Sequence, residues 1–360
     1  MTLAAELRAR AAALTGLLGV RLPIVGAPMA GVSTPQLVAA VSEAGGLGSL
    51  ACGMMEPAQI ETAIREVRAL TSQPFAVNLF ITPQPQPEMA AIERMLAVIA
   101  PLRVDLGLSP VELPADFAPD FDRQFAAVEA ARVPVVSYTF GGLREREAEA
   151  LRAQGAILIG SANTVREVKV LREAGCHAVV AQGHEAGGHR AYFESPPEGA
   201  QVGLFALLPQ AARVAGVPLV AAGAVMDGAG IVAALTLGAS GVALGTALLR
   251  APESGAPAAW KDACRHADDA STRMTTAISG RPARGIGNRL MDTLEASGVP
   301  APAYPIQNAL TGGLRRAAAA AGRADGLALW AGQGVALASS APAADTVRRV
   351  WNEFEALLQE

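Results

Sequence analysis

The sequence predicts an α/β protein, a (β/α)8 TIM barrel with a second, smaller, mainly helical domain. Three observations carry that prediction. Short apolar runs at 23–29, 47–51, 75–80, 133–140, 156–161, 177–182, 217–224 and 241–247 are bounded by Gly, Pro or polar residues and read as eight strands. Helical stretches at 35–44, 57–70, 121–131, 143–153, 165–174, 204–214 and 229–237 separate them. Several approaches to a strand carry Gly or Pro, as at Gly45-Gly46, Pro134, Gly155, Gly175 and Gly216-Val217-Pro218. Helix, glycine stop and apolar strand make the repeating unit of a parallel sheet. Eight such units suggest closure into a barrel with its active site at the C-terminal ends of the strands. A doubly wound sheet is the alternative.

Taken in order, the first strand exits through Ala27-Pro28-Met29-Ala30-Gly31, and Thr34 then caps a helix that starts at Pro35. Ala27 and Met29 offer backbone groups and a soft side chain to a flat ligand, although a plain strand exit explains the same residues. Ahead of and within the second strand, Gly46-Leu47-Gly48-Ser49-Leu50-Ala51 matches a dinucleotide fingerprint literally. It leads into a strand and does not join a strand to a helix, so that reading is discarded. Cys52 follows with no adjacent base and reads as a packed thiol. Asn78 interrupts the apolar third strand; a buried carboxamide needs partners, which a ring edge of a ligand or a structural network would supply.

After the sixth strand comes Gln182-Gly183-His184-Glu185-Ala186-Gly187-Gly188-His189. Paired glycines let backbone approach a flat ligand, and His189 brings the side chain that titrates nearest neutrality. The seventh strand ends at Gly223 and Ala224 before Asp227 opens a helix; the eighth runs through Ala243, Leu244, Gly245 and Thr246. Barrels commonly hold phosphate on these two loops, through main-chain amides near a helix N-terminus. Asp227 would repel phosphate and is read as the cap of the next helix.

Composition narrows the classes. With 51% hydrophobic and 17% charged residues and a net charge of −4, nothing suggests nucleic-acid binding. The three cysteines, Cys52, Cys176 and Cys264, lack metal spacing and fit a reducing cytoplasm. No apolar run is long enough to span a membrane, and residues 1–18 read as an amphipathic helix. Residues 81–120 look like an insertion after the third strand. The expected units are a barrel at 1–250, a helical lid at 251–311, and a return at 312–360 that packs on the barrel.

Assembled in order, segments 23–31, 42–48, 74–80, 136–141, 182–190, 222–230, 245–247, 284–289 and 329–333 resemble the nitronate monooxygenase family, formerly 2-nitropropane dioxygenase. The resemblance implies an FMN-bearing barrel with an added domain that oxidises alkyl nitronates with O2 to carbonyl compounds and nitrite; a monomer or homodimer is expected. Carried over by position, His189 matches the catalytic histidine. Ala27, Met29, Asn78, Gln182, Gly187, Gly188, Gly223, Ala224, Ala243, Leu244, Gly245 and Thr246 are the expected cofactor-binding positions. Ala224 stands where a second glycine is usual, Ala191 replaces a glycine and Ala243 a glutamine. His189 is expected to hydrogen-bond the nitro oxygens and to act as base toward neutral nitroalkanes. An FMN-dependent NAD(P)H:quinone or enoyl reductase is the rival enzyme, and a non-catalytic flavin- or phosphate-binding protein the third reading.

Overall fold

Cap chemistry sets the first helix boundaries. Thr34 Oγ1 accepts from Leu37 N at 3.0 Å, and Pro35 opens α2 (Pro35–Glu43). The computed structural model describes residues 2–83, 85–194 and 198–359. Positions 1, 84, 195–197 and 360, touched by the expected N-terminal helix, insertion, barrel unit and tail, lie outside the described residues.

All eight expected strands form, each within a few residues of its predicted bounds. They are β1 (Ile24–Gly26), β2 (Gly48–Ala51), β3 (Phe75–Phe80), β4 (Val135–Thr139), β5 (Ile157–Ala162), β6 (Ala178–Gln182), β8 (Leu219–Ala222) and β9 (Gly241–Leu244). A two-residue strand, β7 (Gly188–His189), lies between β6 and β8 in the chain and outside this sheet. Every pairing in the eight-stranded sheet is parallel, in the order β1-β9-β8-β6-β5-β4-β3-β2. A bridge from Val25 to Leu47 joins the two ends, with Gly26 N donating to Leu47 O at 2.8 Å. That closure makes a barrel of the sheet and excludes the doubly wound alternative.

Alternation along the strands divides the core. Val25, Ala76, Val135, Ile159, Val220 and Ala243 point inward and share a cluster with Leu14 and Leu18 of α1 (Leu3–Leu18). The outward residues Val77, Leu79, Val136, Tyr138, Leu158 and Val179 pack on a helical layer. That layer includes α3 (Pro57–Leu70), α5 (Phe121–Ala131), α6 (Glu145–Ala153) and α7 (Val165–Glu173), which present Ile60, Val128, Leu151 and Val168. Round the remaining side stand α2, α8 (Leu204–Ala212), α9 (Gly228–Thr236) and the last helix, α13 (Ala343–Leu357), with Val347 and Phe354 buried. Among the described residues, no helix is long and apolar enough to cross a membrane.

The rest of the chain differs from its expected description in two respects. Segment 251–311 holds α10 (Ala258–His266) and α11 (Arg289–Ala296), but also β10 (Thr272–Thr275) and β11 (Ala283–Ile286). These strands are only four residues long and become regular by pairing antiparallel with each other, and β11 with β7, which no local pattern announces. Next, α12 (Ile306–Ala320) runs across the expected boundary at 311. It packs with α11 and with α4 (Met89–Asp105) from the insertion, around Ile99, Met291, Leu294, Leu310 and Leu314. Insertion and later segment therefore share one hydrophobic cluster.

Candidate active site

A cavity of about 440 Å³ opens where the barrel strands end. Its floor is the inward-facing Val25, Ala76, Ile159, Val180, Val220 and Ala243. Over it stand Phe140, His189, Tyr304 and Trp330. Small inward residues leave the volume: where Ala76, Ala222 and Ala243 sit, larger side chains would fill the mouth. The volume lies within the roughly 300–1,000 Å³ usual for cofactor-sized ligands.

His189 is positioned by both parts of the molecule. As a residue of β7 it pairs with Ala283 of β11, while Gln182 Nε2 donates to its carbonyl at 3.0 Å. Its Nε2 lies 2.8 Å from Ser279 Oγ, and that hydroxyl donates to Arg281 O at 3.2 Å. The hydroxyl can instead direct its proton to Nε2, in which case Nδ1 carries the ring proton and is a donor. Rings of Tyr304 and Trp330, each 5.4 Å away between centroids, and of Phe140, at 6.1 Å, surround the imidazole. Burial, and then the charges of Arg281 and Arg315, push its pKa down to about 3, so it is neutral at ordinary pH. Phe140 itself sits at φ 77°, a sparsely populated conformation for a large side chain, with the Arg281 guanidinium 4.0 Å over its ring.

Asn78 is 1% exposed. Its Nδ2 donates to Ser137 Oγ at 3.0 Å and Thr139 Oγ1 at 3.2 Å, whereas its buried Oδ1 has no partner. A structural network takes the donors, while the residue lines the cavity with its acceptor unpartnered. Gln182 is more fully engaged than expected. Its Oε1 accepts from Asn163 Nδ2 at 2.8 Å and Ala191 N at 3.1 Å, so this side chain pins the His189 loop.

On the loops after β8 and β9, the amides of Gly223, Ala224 and Gly245 donate to none of the described residues. Gly223 at φ 139° and Ala224 at φ 52° turn the chain so that successive amides are left free. Ala224 thus adopts the left-handed conformation that its glycine-replacing position demands, with a methyl attached. Asp227 acts as the cap its position suggested, its Oδ1 accepting from Gly230 N at 2.8 Å. The Thr246 hydroxyl accepts from Gly332 N at 2.9 Å, which leaves its proton free to donate. At Gly187 the chain passes so close to the later segment that a Cβ would lie 2.5 Å from Ala331 C and Gly332 N.

Ala27, Met29, Asn78, Gln182, Gly187 and Gly188 line one cavity with His189, as do Gly223, Ala224, Ala243, Gly245 and Thr246. Leu244 does not. Strand alternation turns it outward into the core beneath α2, α9 and α13, and only its carbonyl, which accepts from Ala27 N at 2.9 Å, serves the mouth. Cys52 is fully buried and its thiol is pushed up to about 12 by that burial, as a packed cysteine requires. No metal-ligating cluster exists among the described residues.

Sequence reasoning passed over Ser279, Tyr304, Asn308 and Arg315. Three of these lie in or just before α12, where Asn308, Thr311 and Arg315 recur at helical spacing in an Ala-rich segment. That polar stripe was the available signal.

A family profile for nitronate monooxygenase matches residues 11–353. A nitronate monooxygenase of Pseudomonas aeruginosa is 43% identical over 345 residues, 94% of this chain and 98% of that protein. The solved structure of nitroalkane oxidase from Streptomyces ansochromogenes superposes with a TM-score of 0.88 at 41% identity, covering 96% of this chain and 99% of the other. FabK from Thermotoga maritima follows with a TM-score of 0.76 at 28% identity, covering 96% of each. With the barrel, the cavity and these matches in agreement, the chain belongs to the nitronate monooxygenase family of oxidoreductases.

Proposed function

We propose that this cavity holds FMN and oxidises alkyl nitronates with O2 to carbonyl compounds and nitrite. One observation carries the reading: a single cavity joins a run of free amides, an orphaned Asn78 carbonyl oxygen and a neutral imidazole. Each fits a part of that cofactor or its substrate. The amides of Gly223, Ala224 and Gly245, with the Thr246 hydroxyl, would grip a phosphate. Asn78 Oδ1 would accept from a ring N–H, which removes an orphaned acceptor that otherwise costs about 1–3 kcal/mol. Met29 and the apolar floor would lie against the ring face. When bound, the flavin supplies the redox chemistry, passing electrons from nitronate to dioxygen.

The chain's own residues supply position and polarity. A nitronate is already a carbanion equivalent, so its oxidation requires no proton abstraction. His189, held neutral, would orient the substrate by hydrogen bonding and need not take its proton. An imidazole whose conjugate acid sits near 3 is a poor base toward a neutral nitroalkane, since efficient general bases titrate near the working pH. The base role foreseen from sequence is therefore secondary to orientation. With Ser279 donating to Nε2, the ring proton sits on Nδ1, which would be the donor to the substrate's oxygens. Tyr304, Trp330 and Phe140 exclude water around it.

The test is the visible spectrum of the purified protein, before and after anaerobic addition of ethyl nitronate, with nitrite measured once oxygen is admitted. A bound flavin that bleaches and then yields nitrite is expected. Protein that cannot be loaded with FMN, or whose flavin ignores the nitronate, overturns the proposal.

A further inference from the structure

Four guanidinium groups lie around the His189 loop, and three stand outside the cavity lining, tied to main-chain carbonyls. Arg190 donates to Gln182 O at 3.2 Å, to Ala200 O at 2.9 Å and to Gly183 O. Arg284 donates to His184 O at 3.0 Å and reaches Thr272. Arg281 donates to Arg190 O at 3.1 Å and to Tyr192 O, and lies over the rings of Phe140 and Tyr192.

Arg315 is different. Its Nη2 donates to Asn308 O at 2.8 Å and Asn308 Oδ1 at 2.7 Å, and its Nε donates to Thr311 Oγ1 at 3.3 Å. Its Nη1 has no hydrogen-bond partner, and no carboxylate pairs with it, among the described residues. Arg315 lines the same cavity as His189, Tyr304 and Asn308, and among the described residues it is the only formally charged side chain there, with no Asp or Glu in the lining. The charged and titratable groups facing it are Arg316, Tyr304 and the neutral His189, and none supplies a counter-ion. Burial without compensation holds its pKa down at about 10, still charged at neutral pH. A half-buried cation anchored on two sides and free on the third favours an anion that arrives from the cavity.

We propose that Arg315 binds the delocalised negative charge of the nitronate and makes this cavity select ionised nitronates over the neutral nitroalkanes from which they form. The inference rests on nitronate oxidation as the reaction of this cavity. A nitronate spreads its charge over two oxygens on one nitrogen, the geometry a guanidinium recognises in carboxylates. A nitroalkane has the same two oxygens without the net charge. His189 is neutral and binds both forms by hydrogen bonding, so charge discrimination falls to Arg315.

Nitrate serves as a planar anionic probe and nitroethane as its uncharged counterpart, titrated calorimetrically into the flavin-loaded protein. The unmutated protein is expected to bind nitrate at least about tenfold more tightly than nitroethane, the effect of one charge-assisted hydrogen bond. Arg315→Gln should lose about 10- to 100-fold in nitrate affinity and in kcat/KM for ethyl nitronate, mostly through KM, with nitroethane binding changed less than about threefold. Arg315→Lys, which keeps the charge, should recover part of the loss. Equal losses for both probes, or nitrate binding untouched by Arg315→Gln, would overturn the assignment. Should Arg315→Gln fail to fold, an unmutated protein with no preference for nitrate overturns it equally. Selective nitrate binding without nitronate oxidation would bring down the reaction reading and the substrate with it. Nitronate oxidation without charge selectivity would bring down Arg315 alone.

Discussion

His189 and Ala224 show what single residues contribute. The imidazole pKa lies near 3 in the folded protein against 6.5 unperturbed, so between these values the unfolded chain binds the extra proton. Stability from this group is complete above about pH 6.5 and is lost as pH falls towards 3. Thermal melts across that range should show the His189→Asn protein losing less of its stability on acidification than the unmutated one. Burial lowers His177 and His184 too, so some acid sensitivity stays in the variant. An identical pH slope in both proteins would mean that His189 is not held neutral by folding. Ala224 keeps a methyl at φ 52°, which strains an L-residue. Ala224→Gly should relieve that strain by roughly 0.5–1 kcal/mol net of the extra freedom glycine gains when unfolded. The check is the denaturant midpoint, and a lower midpoint for the glycine variant would contradict the strain.

At the scale of elements, the short pairing of β7 with β11 is what turns a loop residue into a placed one. Ala283 faces His189 and Arg284 faces Gly188 across that pairing. Next to it, Gly187 admits the Ala331-Gly332 backbone at a distance no Cβ tolerates. Gly187→Ala should push the two segments apart, lowering stability by about 1–3 kcal/mol as overpacking does. It should also weaken flavin retention, because Gly332 N is the partner of Thr246 Oγ1. Flavin content after gel filtration, measured together with the melting midpoint, checks both effects. The barrel elements were legible in the sequence because each is bounded locally, by Thr34-Pro35, Asp227 and the glycine stops. β10 and β11 were not, because four-residue strands acquire their regularity only from a partner.

Across the whole molecule, the insertion and the later segment pack together in the cluster shared by α4, α11 and α12. Ile99 is fully buried there, so Ile99→Ala should cost about 2–5 kcal/mol. Because Tyr304 precedes α12 and Arg315 lies on it, the same change should raise KM for nitronate; steady-state kinetics on the folded variant would show it, and an unchanged KM would mean the cluster does not hold the cavity wall. Residues of α12 also explain the limits of the sequence reading. Period-two and helical patterns, glycine stops and caps are local, and they determined the barrel, its strand order in the chain and the rim on which His189, Asn78 and Gly223 meet. Which partner orients His189 and which arginine lines the cavity depend on residues far apart in the chain, as with His189 and Ser279, 90 positions apart. Only tertiary structure decides these, because burial and charge compensation are properties of a surrounding that no single stretch of chain contains.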